Sequence, residues 1–187
     1  MKNAIILHGT LGSPEGNWFR WLKSALEAKD ITVWLPQLPH AEQPSLREWA
    51  DYVHSSCPFE LNEETLVIGH SSGAILALIL SQESPKTLAA VVAVSVFYDN
   101  SLNWEPNDNL FDVNFDWQRI ADGTHKLVFL HSDDDPYVPL EQAMYVANQC
   151  DTEMILLRDQ GHFNLEKSEQ YKQFPALIDV MAQQSIF

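Results

Sequence analysis

Two kinds of hydrophobic pattern alternate along this sequence. Short runs of consecutive apolar residues predict strands that are buried on both faces, and segments whose apolar residues recur every three or four positions predict amphipathic helices. Strands that alternate with helices are joined by right-handed crossovers and form a mostly parallel sheet with helices on both faces. The sequence therefore predicts a three-layer α/β/α fold with six strands, at residues 4–7, 31–35, 66–68, 88–96, 126–130 and 153–157.

The helical segments show the expected periodicity. In the first of them, Trp18, Leu22 and Leu26 share one face. In the last, Pro175 marks either the first turn or a kink. Between about residues 97 and 120 the periodicity lapses, and aromatic residues are interleaved with Asn, Asp and Pro. We predict an irregular excursion over the face of the sheet there, within a single domain that spans residues 1–187.

The charge of the chain narrows the range of partners. With 11 Lys and Arg against 26 Asp and Glu, the formal net charge is −15. Such a surface repels nucleic-acid phosphates and anionic lipid headgroups, so neither nucleic acid nor membrane is an expected partner. The amino-terminal apolar run is too short for a signal peptide, and two cysteines allow at most one disulfide. These features fit a reducing compartment, and we expect the protein in the cytoplasm.

A Gly-x-Ser-x-Gly motif occupies residues 69–73, between the third predicted strand and an apolar helix. In this motif the serine lies on a strained strand-to-helix turn that pushes its hydroxyl outward, and the glycines let neighbouring backbone pass close by. Ser71 is therefore the candidate nucleophile. The backbone N–H of Ser72, at the amino end of the helix, is the candidate donor to an oxyanion. Because the motif also occurs by chance in loops rich in Gly and Ser, it needs partners elsewhere in the sequence.

Two further polar segments follow strands that the topology brings to the same edge of the sheet. Residues 133–135, all aspartate, follow the fifth predicted strand, and His162 follows the sixth. Ligands of open α/β sheets bind at the carboxyl ends of the strands. A histidine near Ser71 is the base that a weak serine nucleophile needs, and an aspartate beside it fixes the orientation of the ring. The order Ser, Asp, His along the chain is that of α/β-hydrolases, although adjacency leaves open which aspartate acts.

Together these segments resemble the α/β-hydrolases, and more closely the small serine hydrolases typified by YdeN-like proteins. The resemblance also covers the His-Gly loop after the first strand, the tryptophan-rich helix that follows it and the Gly-His-Phe loop at residues 161–163. It implies a sheet order of 2-1-3-4-5-6 and a triad acid directly before a proline. Asp135 is then the predicted acid, with Asp134 as the alternative. The resemblance further implies that the backbone N–H of Thr10 is the second oxyanion donor.

The resulting expectation is a serine hydrolase, free of metal and cofactor, that cleaves a small carboxylic ester through an acyl-enzyme. An amide or peptide is the less favoured substrate, and the oligomeric state is left open. The alternative is a non-catalytic protein of the same fold that binds a partner, because a fold does not by itself fix a function. The retention of serine, aspartate and histidine at three separate strand ends argues for the enzyme.

Candidate substrate contacts lie in the first loop and in the excursion, at Leu11, Trp104, Phe111 and Trp117. The aromatic residues among them form either an acyl-binding wall or only the apolar underside of a loop that covers the sheet. His8 and His70 match the family, and we interpret both as packing or hydrogen-bonding positions near the site. His131 stands where the family commonly has glycine.

Overall fold

The computed structural model describes residues 2–101 and 109–187 of the chain. These residues contain a six-stranded sheet of order β2-β1-β3-β4-β5-β6, in which every neighbouring pair of strands is parallel. The strands are β1 (Asn3–Leu7), β2 (Thr32–Trp34), β3 (Thr65–His70), β4 (Ala90–Val94), β5 (Leu127–Ser132) and β6 (Met154–Leu157). The predicted α/β fold and the sheet order implied by the resemblance are both confirmed.

Helices cover both faces of the sheet. They are α1 (Phe19–Glu27), α2 (Leu46–Ser56), α3 (Ser72–Glu83), α4 (Trp117–Asp122), α5 (Leu140–Gln149) and α6 (Pro175–Gln183), and a 3₁₀ turn at Glu169–Lys172 precedes the last helix. Apolar residues of α1 and α6 belong to one core, and those of α2, α3, α4 and α5 belong to the other. Pro175 occupies the first turn of α6, where its missing N–H costs no hydrogen bond.

The two cores explain why the central strands carry apolar residues on both faces. In β1, Ile5 and Leu7 point into the core beneath α3, whereas Ala4 and Ile6 point into the core beneath α1 and α6. Every residue of β3 and β4 is buried. Helix α3 is also apolar all round, and its residues from Ser72 to Ser81 are all buried. The protein therefore places the Gly-x-Ser-x-Gly turn between a fully buried strand and a helix that is buried over its first ten residues.

All six strands differ from their predicted bounds by one or two residues at one or both ends, and the differences at β5 and β4 have clear causes. β5 continues to Ser132, two residues beyond its predicted end, because His131 and Ser132 pair with the end of β6. β4 is shorter than the predicted span of residues 88–96, and Leu88 instead forms an isolated bridge to Thr124. Polar residues can extend a strand, and apolar ones can follow it, because pairing depends on the neighbouring strand as well as on hydropathy. No helix within the described ranges is long and apolar enough to cross a membrane.

Candidate active site

Ser71 lies at the sharp turn between β3 and α3. Its φ of 58° and ψ of −127° place it outside the regions that L-residues normally occupy. The turn is held by the N–H of Ser71, which donates to the carbonyl of Val94 at 2.9 Å. A Cβ atom on Gly69 would lie only 2.1 Å from the carbonyl oxygen of Gly73. The two glycines are therefore required by close packing of backbone, and the strained turn holds the serine at the carboxyl edge of the sheet.

The side chains of His162 and Asp135 form a direct hydrogen-bonded pair. Nδ1 of His162 lies 2.8 Å from Oδ2 of Asp135 and 3.0 Å from Oδ1. An ionised carboxylate only accepts hydrogen bonds, so Nδ1 carries a proton, and in the neutral form of the ring Nε2 is the acceptor. The Asp135 side chain is fully buried, and that of His162 is 8% exposed. This pairing leaves the basic nitrogen of the ring available to the cleft.

Asp135 is held from four sides. Its carboxylate accepts hydrogen bonds from the Ser95 hydroxyl at 2.8 Å and from the backbone N–H groups of Tyr137 and Val138 at 2.9 and 3.0 Å. Burial by itself raises the pKa of Asp135, but the hydrogen bond from His162 and those from the backbone outweigh it and lower the pKa. The buried His131 donates from Nε2 to the carbonyl of Val138 at 3.0 Å and so braces the same turn. Asp135 is thus kept ionised and fixed in place.

Asp134, the alternative acid, forms its hydrogen bonds with groups other than the imidazole of His162. Its carboxylate accepts hydrogen bonds from the Ser132 hydroxyl at 2.7 Å, from the N–H of Gly161 at 2.6 Å and from the ammonium group of Lys167. The hydrogen bond from Lys167 is the largest cause of a lowered pKa of Asp134. The structure therefore brings Asp135, and not Asp134, to the ring of His162.

Ser71 and His162 line the same cleft, whose volume is about 290 Å³. No direct hydrogen bond joins their side chains in the described part of the chain, and such bonds in active sites often tighten only when substrate binds. Leu11 also lines this cleft and is 63% exposed. The described lining does not include Phe111 or Trp117, and Phe111 packs edge-on against Phe97 at 5.7 Å between ring centroids. Trp104 lies outside the described residues.

The two residues that carry the predicted oxyanion donors, Thr10 and Ser72, contact each other. Ser72 is the first residue of α3, where a backbone N–H has no acceptor within the helix. The N–H of Thr10 donates to the hydroxyl of Ser72 at 2.7 Å, and the two hydroxyl oxygens are 2.6 Å apart. In this structure the Thr10 N–H is therefore directed at Ser72 Oγ, on the first-loop side of the cleft.

Comparison with known proteins decides the family. The sequence model of the serine hydrolase family matches residues 4–183. The chain belongs to the serine hydrolase family. The family match spans nearly the entire sheet and all three strand ends that carry the candidate residues. The fold and the family together make this protein a hydrolase.

Individual relatives support the same family assignment. YdeN of Bacillus subtilis (strain 168) is 30% identical over 182 residues, which cover 96% of this chain and 94% of the relative. The serine hydrolase RBBP9 of Rattus norvegicus is 25% identical over 163 residues, with 86% of each chain covered. The crystal structure of the B. subtilis ydeN gene product superimposes with a TM-score of 0.86 at 27% identity and covers 98% of both chains.

Two further histidines of the serine hydrolase form hydrogen bonds to backbone segments of the site, as predicted for packing or hydrogen-bonding positions. His8 donates from Nδ1 to the carbonyl of Gly9 at 2.9 Å and accepts at Nε2 from the N–H of Leu38 at 3.0 Å. His70 lies directly before the nucleophile and donates from Nε2 to the backbone carbonyl of His162 at 2.8 Å. Both rings are buried, so each fixes a backbone segment of the site.

Ser95 is the site residue that sequence reasoning missed. It follows β4 directly and has a positive φ of 52°, which turns its hydroxyl to the carboxylate of Asp135. The signal for it existed, because it is the polar residue in the otherwise apolar run at residues 88–96 and lies at a strand's carboxyl end. The rule that located the serine, aspartate and histidine thus applies to a fourth strand as well.

The buried His70 makes the stability of the serine hydrolase depend on pH. Burial lowers the pKa of His70 from 6.5 to about 3. The folded state therefore binds this proton less tightly than the unfolded state, and the free energy of unfolding falls as the pH drops from 6.5 toward 3. In urea titrations the His70→Gln variant is expected to lose less stability between pH 6.5 and 4 than the wild type, by roughly 1.4 kcal/mol per pH unit. His125→Gln, at an exposed position, serves as the control, and an unchanged slope in His70→Gln would contradict the prediction.

The close packing at the turn predicts a large loss of stability on adding one methyl group. A Cβ atom on Gly73 would lie 2.4 Å from the carbonyl oxygens of both Leu7 and His8. We expect Gly73→Ala to lower the free energy of unfolding by about 3 kcal/mol, because backbone atoms have to move apart. At Gly16 the nearest contact of a Cβ would be an ordinary 3.4 Å, so Gly16→Ala should change stability by at most about 0.5 kcal/mol. Equal urea midpoints for the two variants would show that the turn tolerates the extra atom.

Proposed function

We propose that this serine hydrolase cleaves a small carboxylic ester through an acyl-enzyme, with an amide or peptide as the less favoured substrate. Ser71 is the nucleophile, His162 the general base and acid, and Asp135 the carboxylate that orients the ring. The observation that carries this proposal is the hydrogen bond from Nδ1 of His162 to a buried carboxylate, because the ring of His162 lines the cleft that also contains the strained Ser71. It leaves Nε2 in the protonation state that accepts the serine proton.

The proposed reaction has two halves. As Ser71 Oγ attacks the ester carbonyl carbon, its proton passes to His162 Nε2 and the carbonyl oxygen becomes an oxyanion. The imidazolium then protonates the leaving alcohol as the carbon–oxygen bond breaks, which leaves an acyl group on Ser71. Water attacks the acyl carbon in the same way, releases the acid and restores the serine. Positioned proton transfer of this kind contributes roughly 10²–10⁴-fold to the rate.

The oxyanion is proposed to bind between the first loop and the start of α3. The N–H of Ser72 projects from the amino end of that helix, where the backbone carries a partial positive charge. The N–H of Thr10 is the second donor, and in the structure it donates to the hydroxyl of Ser72. When the oxyanion forms, this N–H donates to the oxyanion instead, or to both oxygens at once. Donors of this type contribute about 2.7–4 kcal/mol each to stabilisation of the transition state.

The lining of the cleft supports a small, uncharged substrate. Leu11, Phe97 and Leu165 supply apolar surface, and the described lining contains no lysine or arginine to hold an anionic group. It does contain the carboxylate of Glu166, which accepts a hydrogen bond from the Tyr137 hydroxyl. With a net charge of −15 on the whole chain, anionic esters are disfavoured from a distance as well. The proposed chemistry needs no metal and no cofactor.

A fluorophosphonate probe and a simple ester test the proposal together. We expect the wild-type protein to form a covalent phosphonate adduct, located on Ser71 by peptide mass spectrometry, and to hydrolyse p-nitrophenyl acetate. Pre-treatment with the probe should lower the rate of hydrolysis in proportion to the fraction of protein that is labelled. A folded protein that neither reacts with the probe nor cleaves short-chain p-nitrophenyl esters would overturn the proposal and favour a binding role. A series of acyl-chain lengths would then define the preferred ester.

A further inference from the structure

A second set of contacts connects the end of β5 to the segment that leads into His162. Three consecutive side chains each accept a hydrogen bond from the backbone N–H of one residue in that segment. Ser132 Oγ accepts from Gln160 at 2.9 Å, Asp133 Oδ1 from Asp159 at 2.9 Å and Asp134 Oδ1 from Gly161 at 2.6 Å. The acidic run after β5 is therefore bonded to the loop that carries the base of the proposed mechanism.

The loop needs this external support. Asp159, Gly161 and Phe163 all have positive φ values, between 50° and 57°, and the segment lies outside every helix and strand. A backbone in this conformation is maintained only where surrounding groups determine it. Backbone N–H groups at such a turn also require acceptors. Side chains of residues 132–134 supply those acceptors for the three residues that precede His162.

Asp134 holds this loop on both sides of His162. One of its oxygens accepts from Gly161, the residue directly before the histidine, and the other accepts from Lys167, five residues after it. The stem of Lys167 also covers Gly161, because a Cβ atom built there would lie 2.8 Å from the lysine Cδ. The hydroxyl of Ser132 donates to the same carboxylate at 2.7 Å and restricts its rotation. One carboxylate thus bonds to the chain on both sides of His162, in addition to the hydrogen bond that His70 donates to the His162 carbonyl.

We propose that Asp134 is a positioning residue for His162, with Lys167 as its counter-charge. Two adjacent carboxylates then have separate tasks, because Asp135 fixes the ring of His162 and Asp134 fixes its backbone. This inference rests on the proposed function, in which His162 is the general base. It gives Asp134 a role in the site, whereas an acidic turn that only contacted solvent would have none.

Substitutions at Asp134 separate positioning from simple folding support. Asp134→Ala removes the acceptor, and we expect kcat for p-nitrophenyl acetate to fall by about 10–100-fold with KM within twofold, because a small displacement of the base slows proton transfer. Asp134→Asn keeps an oxygen that accepts from Gly161 and should restore kcat to within about threefold of wild type. Glu169→Ala, which removes the exposed ion pair with Lys172, is the matched control and should leave kcat unchanged.

Proton NMR provides a readout that does not need activity. The Nδ1 proton that His162 donates to Asp135 should give a downfield resonance in the wild type, and it should shift or broaden in Asp134→Ala, remain in Asp134→Asn and be unaffected in Glu169→Ala. An unchanged resonance and kcat in a folded Asp134→Ala variant would overturn the proposal. If Asp134→Ala does not fold, Lys167→Met decides, since a kcat loss of about threefold with a shifted resonance supports positioning and wild-type values refute it. A wild type without hydrolysis or labelling would refute the proposed function alone, while the resonance would still test the positioning.

Discussion

The Ser71→Ala variant is expected to lose about 10⁵–10⁶-fold in kcat for p-nitrophenyl acetate and to lose all labelling by the fluorophosphonate probe. Removal of the hydroxyl leaves the acyl group nowhere to bind covalently, and in serine hydrolysis the loss of the nucleophile costs about as much as loss of the whole triad. The fold should be retained, because alanine meets the same backbone strain at this φ that serine does. Stopped assays with purified variant protein at high concentration measure the residual rate.

Ser13 provides the control for this experiment, because it lines the same cleft without lying at the strained turn. Ser13→Ala should keep kcat within about threefold of the wild type and should still react with the probe. If Ser71→Ala kept more than a tenth of the wild-type kcat, or if labelling moved to Ser13, the nucleophile would have been assigned to the wrong residue.

The Asp135→Asn variant is expected to lose roughly 10⁴-fold in kcat. Asparagine can turn its amide group to donate to Nδ1 of His162, which shifts the ring proton to Nε2 and prevents that nitrogen from accepting the proton of Ser71. Because the ring stays in place, KM should change little. Steady-state kinetics at a pH near neutrality give both parameters.

Asp134→Asn is the matched control, since it makes the same chemical change one residue earlier. Its amide oxygen still accepts from Gly161 and Ser132, so its kcat should stay within about threefold of the wild type. Equal losses in the two variants, or a larger loss in Asp134→Asn, would move the triad acid to Asp134 and remove the basis for the proposed tautomer of His162.

The sequence located Ser71 and His162 because their positions follow from topology. Parallel strands bring their carboxyl ends to one edge of a sheet, so a polar residue just beyond an apolar run is placed there whatever the details of the loops. The glycines at positions 69 and 73 added a local signal, since the backbone atoms around them leave no room for a side chain. The first inference depends on topology, which hydropathy specifies, and the second depends on the absence of a side chain at the two glycines.

Individual side-chain contacts could not be predicted from the sequence pattern. Asp134 and Asp135 are identical neighbours, and only the direction of the chain at the turn determines which carboxylate meets the histidine. The family resemblance, through the proline that follows, favoured Asp135. The aromatic residues of the excursion have no period, so the sequence could not say whether Phe111 would face the cleft or pack against Phe97. The role of Phe111 and Trp117 in substrate binding stays a prediction.

The placement of β6 at the edge of the sheet has a consequence for how the site responds to heat. Among the strands that the structure describes, β6 pairs with β5 alone, and its residues are less buried than those of β3 and β4. Edge elements of this kind open by local unfolding at a lower free energy than the core requires. The nucleophile turn lies between a buried strand and a buried helix, which we expect to unfold late, and the histidine loop follows an edge strand, which we expect to open earlier. Thermal inactivation should therefore begin as a reversible separation of base from nucleophile, at temperatures where most of the protein is still folded.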